Sequence, residues 1–130
     1  MALISDFYVA PASSAAKLLA GVGTKKLSRY ETKNILDTKL DALERLLKGE
    51  GETTLLTDQD AEQWVFRVSP SLVALRAKLK TVEPVAKKWA PELKADGWTV
   101  AQTKKALSAL VKVAIEATTT EQDLLLSMSL

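Results

Sequence analysis

The chain has no cysteine and no histidine. The first absence excludes disulfide scaffolds, thiol catalysis and Cys-ligated zinc or iron–sulfur sites. The second removes the commonest general base and the commonest metal ligand. Aromatic residues are few (three Trp, two Tyr and two Phe), so Leu, Val and Ala must fill the interior. Glycine occurs only five times, which leaves little for backbone-built phosphate loops. No apolar run approaches the ~20 residues a membrane helix needs. Met1–Ala10 carries Asp6 and no basic stretch before it, a poor signal peptide. An intracellular, cytoplasmic protein is the expectation.

What is present is a chain of 130 residues, 47% apolar and 26% charged. That is the composition of one globular domain, long enough to bury a core without staples. The net charge of +2 conceals a pattern. Residues 34–62 hold three basic against eight acidic side chains, a balance of −5. Residues 63–112 hold ten basic against three acidic, a balance of +7. Such asymmetry suits an anionic partner, or one subunit's acidic face meeting another's basic face.

Local signals read mainly as helix. Ala12–Ala20 follows Pro11 and ends at Gly21 and Gly23. Ser28 and Glu31 fit a capping box, and Leu36, Leu40, Leu43 and Leu47 form one stripe, so 29–48 is expected to be helical. Lys33–Asp37, Asp41–Arg45 and Glu44–Lys48 are opposite charges four apart, as on a solvated helix face. Residues 53–68 are read as helix, with a short β-hairpin across Asp58–Glu62 as the alternative. A helix opens at Ser69-Pro70 and runs to about Glu83, and Pro91 should split or bend the segment after Pro84. Asp96-Gly97 is a stop. Thr99 and Gln102 form a second capping box, opening a helix from about 100 to 117.

The expected fold is therefore all-α: a single domain over 1–130, a bundle of five to seven helices with apolar arms at 1–10 and 121–130. The first arm also reads as a short strand, and the second as a short helix.

Three clusters imitate sites. Asp37, Asp41 and Glu44 lie along one helix, each near a cation at helical spacing. Asp58, Asp60 and Glu62 begin like a calcium loop, but Val65, Phe66 and Arg67 follow without the needed glycine. Gly21–Lys26 lacks the order of a phosphate loop. No catalytic set, cofactor or metal is expected.

Two features point outward. The ends are apolar, with Leu3, Ile4, Phe7 and Tyr8 at one and Leu124, Leu125, Leu126, Met128 and Leu130 at the other. Such ends dock on their own core or insert into a neighbour. The basic block interleaves lysines with Trp64, Trp89 and Trp98, as nucleic-acid binders do. It holds only two arginines, so base readout has little to work with, and solvated helix faces or a subunit contact also account for it.

The expectation is a non-enzymatic assembly or adaptor subunit. It would form homo-oligomeric rings or filaments through its ends and through Asp37, Asp41 and Glu44 against Arg76, Lys78, Lys80, Lys87, Lys88, Lys104 and Lys105. Class-level analogy extends this to a phage or virus particle component. The alternative is a nucleic-acid-binding or regulatory module using the lysine-rich segment 67–112.

Overall fold

The computed structural model describes residues 4–15, 18, 29–35, 37–49, 51–57, 63–77, 79, 81–94 and 97–129. Five strands form one antiparallel sheet: β1 (Ile4–Ala10), β2 (Arg29–Lys33), β3 (Thr54–Leu55), β4 (Gln63–Arg67) and β5 (Asp123–Ser129). Their order across the sheet is β2-β1-β5-β4-β3. The helices are α1 (Asp37–Leu46), α2 (Pro70–Ala77), α3 (Glu83–Leu93) and α4 (Val100–Thr119). A 3-10 turn at Ala12–Ser14 follows β1.

The two chain ends are neighbours at the middle of the sheet. Phe7 pairs with Leu126 and Val9 with Leu124, while β4 flanks β5 on its other side. Strand alternation explains three successive leucines. Leu124, Leu126 and Met128 face the helices with Phe7, Val9 and Trp64. Leu125 faces the opposite side, with Tyr8, Ala10, Val65, Ala15 and Leu18. A strand covered on both faces is apolar at consecutive positions, so neither periodicity shows.

The helical layer covers one face. α4 lies against β1, β2 and β5, while α2 and α3 pack on α4, and α1 on α3 and α2. Thr103, Ala106, Leu107, Leu110, Val113, Ala114 and Ala117 form the buried stripe of α4. Its capping box is complete: Gln102 N–H donates to Thr99 Oγ1 and Thr99 N–H to Gln102 Oε1. α3 continues through Pro91 to Leu93.

The all-α bundle is therefore overturned: the fold is mixed α/β, built on a five-stranded antiparallel sheet with four α-helices among the described residues. The virus-particle expectation rested on that all-helical class and falls with it. Residues 29–33 are an edge strand rather than the first turns of a helix. Arg29, Glu31 and Lys33 are exposed, alternating with half-buried Tyr30 and Thr32, and Asn34 at φ 59° separates strand from helix. Ser28, the other half of that box, lies outside the described residues. Residues 54–55 and 63–67 are paired strands, the alternative to the expected helix. The segment 121–130 is a central strand over 123–129. The helix opened by Pro70 ends at Ala77, and Glu83 begins a new one. Of the 12–20 helix, only 12–15 and 18 lie within the described residues.

Candidate functional site

The apolar candidates are consumed by the fold. Phe7, Tyr8, Leu124, Leu125, Leu126 and Met128 are buried in the chain's own sheet. Ile4 is 42% exposed at the start of β1. Leu3 and Leu130 lie outside the described residues.

The acidic candidates turn inward as well. None of the three charge pairs expected along 33–48 is an ion pair in the structure. Asp41 Oδ1 accepts from Thr53 N–H at 3.0 Å. Glu44 is buried, and its Oε2 accepts from Gly51 N–H at 3.1 Å and from Ser69 Oγ at 3.0 Å. The backbone passes so close that a Cβ on Gly49 would meet Glu44 Cγ at 2.5 Å. Asp37 is half-buried in the first turn of α1, where a negative charge suits the helix dipole.

Arg76, expected at the surface, is fully buried on α2, in line with Ser69 and Leu72. None of its guanidinium nitrogens has a hydrogen-bond partner, and neither does Glu44 Oε1. Burial lowers the Arg76 pKa to about 9, although the negative charge of Glu44 acts to raise it. Arg67, the other arginine of the basic block, donates from Nε to Asp123 Oδ1 at 2.9 Å. Arg76 is thus closed to a partner and Arg67, though exposed, is paired with Asp123, and the remaining cations of the block are lysines.

Lys87 and Lys88 on α3 and Lys104 and Lys105 on α4 are exposed. Lys78 and Lys80 lie outside the described residues. The carboxylate of Glu83 sits 3.8 Å from both Lys87 Nζ and Lys104 Nζ, which brings the two helices' lysines together. Beside them runs a groove of about 430 Å³ lined by Lys87, Ala90, Pro91, Lys94, Trp98 and Val100.

The local chain geometry builds this groove. Gly97 N–H donates to Lys94 O and Trp98 N–H to Leu93 O, closing α3, with Gly97 at φ 82°. The reversal sets half-buried Trp98 at the groove, and Thr99 then caps α4. The other tryptophans serve the core. Trp89 is fully buried and donates from Nε1 to Lys39 O at 2.9 Å, and Trp64 packs on the same cluster. Sequence reasoning counted Lys94 and Trp98 in the basic block but missed the groove. Its one local signal is Val100, an apolar residue left exposed directly after a cap.

On the far face of the sheet, Asp6 and Glu31 are directly opposed in β1 and β2. Burial and then the Glu31 charge raise the Asp6 pKa, while Arg29, which pairs with Glu31, acts to lower it. Among the described residues no three potential metal ligands cluster, and no helix is long and apolar enough to cross a membrane.

No protein-family model, curated protein or solved structure matches the chain.

Proposed function

We propose that the protein is a non-catalytic binding module whose partner is a nucleic acid, held through its backbone by the lysines of α3 and α4. The observation that carries this reading is a groove lined by Lys87 and Lys94, with Lys104 of α4 brought beside Lys87 by the shared carboxylate of Glu83. Lys88, Lys105 and Lys112 extend the positive surface along the same helices. Lysine ammonium groups act as point charges toward phosphates and carry no bidentate base readout. Binding independent of base sequence follows. The lack of His and Cys in the sequence supports a non-catalytic role.

Self-assembly through the ends and the acidic helix is the weaker reading. The strands it would offer a neighbour fill the chain's own sheet, and Asp41 and Glu44 hold the chain's own loops.

The test is titration of the protein with a mixed-sequence polynucleotide across a salt series. Binding should weaken steeply as salt rises, by counterion release. Exchanging Lys87 and Lys88 for Glu should weaken it further without altering the far-UV circular dichroism. No binding at low salt overturns the reading.

A further inference from the structure

Lysines alone do not account for the groove between α3 and α4. Its lining includes Val100, 46% exposed, together with exposed Pro91 and half-buried Trp98. Apolar surface left open to water within a basic rim calls for a partner that is both apolar and anionic. A nucleic acid held only by its phosphates would use the rim and leave these side chains wet. An amphipathic helix would need a row of apolar anchors repeated over several turns. Ala90, Pro91, Trp98 and Val100 make a single short slot instead. What fits is one flat apolar group with negative charge on either side of it. An unpaired nucleobase between two phosphates has that form, and bases inside a duplex are stacked and paired beyond reach.

We propose that the α3–α4 groove takes one unpaired base of a single-stranded nucleic acid against Trp98, with the neighbouring phosphates on Lys87 and Lys94, the two lysines that line it. This rests on the nucleic-acid reading above and adds a preference for single strands. Because every base offers a π-face, the preference is for unpaired bases and not for one base identity.

The experiment compares a labelled short single strand with its own duplex by fluorescence anisotropy at low salt, with polyglutamate as a competitor lacking bases. The single strand should bind at least about ten-fold more tightly than the duplex and should quench tryptophan emission. Trp98→Leu should cost about ten-fold for the single strand and little for the duplex. Trp98→Phe, which keeps a ring, should fall between. If Trp98→Leu does not fold, the affinity ratio of the unaltered protein decides. Equal affinity for strand and duplex overturns this inference and leaves the nucleic-acid reading standing. Absence of binding to either removes both. Displacement of the single strand by polyglutamate at matched charge also overturns both, in favour of an acidic protein partner.

Discussion

Glu44 Oε2 accepts a hydrogen bond from Ser69 Oγ at 3.0 Å, tying the last turn of α1 to the residue that precedes α2. The same oxygen holds Gly51 N–H, and Ser69 N–H donates to Thr53 Oγ1 at 3.3 Å. A small polar knot thus ties Gly51 and Thr53 to α1 and to the start of α2, and the charge of Glu44 acts on the fully buried Arg76.

Removing one charge of this pair should harm the fold more than removing both. Glu44→Gln removes a negative charge that acts on buried Arg76 and weakens the hydrogen bonds to Gly51 and Ser69, a loss of roughly 1–3 kcal/mol. The double variant, Glu44→Gln with Arg76→Met, should regain part of it, because an apolar side chain needs no countercharge. Urea denaturation of both single variants and the double measures the coupling. Simple addition of the two single losses would refute it.

The sheet has a separate electrostatic weakness where Asp6 opposes Glu31. The Asp6 pKa is raised in the folded chain, so the native state binds more protons than the unfolded state just above the ordinary value of 3.8. Stability from this residue therefore falls as pH rises through that window, and is regained as pH falls back toward 3.8. Asp6→Asn should stabilise the protein at neutral pH by about 0.2–1 kcal/mol, the size of a cross-strand pair term. The gain should vanish near the unfolded pKa. Thermal melts of the two proteins across pH settle the sign.

β5 lies between β1 and β4, so its loss opens the sheet at the centre. Deleting residues 124–130 should abolish cooperative folding, where a subunit-exchange arm would merely release monomers. Leu126→Ala, at a fully buried position, should cost roughly 2–5 kcal/mol. Circular dichroism and size-exclusion of the truncated chain separate the two outcomes. A folded truncated chain would contradict the sheet order.

Gly97 is the hinge that delivers Trp98 to its groove. At φ 82° an L side chain is strained although nothing within 4 Å blocks it. Gly97→Ala should cost roughly 1–2 kcal/mol through backbone conformation alone. A chemical melt indistinguishable from the unaltered protein would place this turn in a different conformation.

The sequence by itself determined the elements whose causes are local. The Thr99–Gln102 capping box and the stripe Leu107, Leu110, Ala114 specify α4, and Gly97 marks the stop before it, because caps and turns draw on neighbours within one helical turn. Only the tertiary structure decided the sheet. β1 and β5 join residues from opposite ends of the chain, and no local window contains both partners. With both faces covered, Leu124–Leu126 show no alternation, so their strand signal disappears at the moment they become central. Residues 29–33 misled for a related reason: Ser28 and Glu31 match a cap, and the leucine stripe beyond them is real, but pairing with β1 claims the segment first. Glu44 and Arg76 repeat the lesson for charge. Spacing to Lys48 predicts a solvated Glu44, yet Ser69 and Gly51, distant in sequence, supply the hydrogen bonds that keep it buried. The lysines of α3 and α4 lie at the surface, and the packing of the two helices set Lys87 and Lys94 in one groove with Trp98 and brought Lys104 beside Lys87.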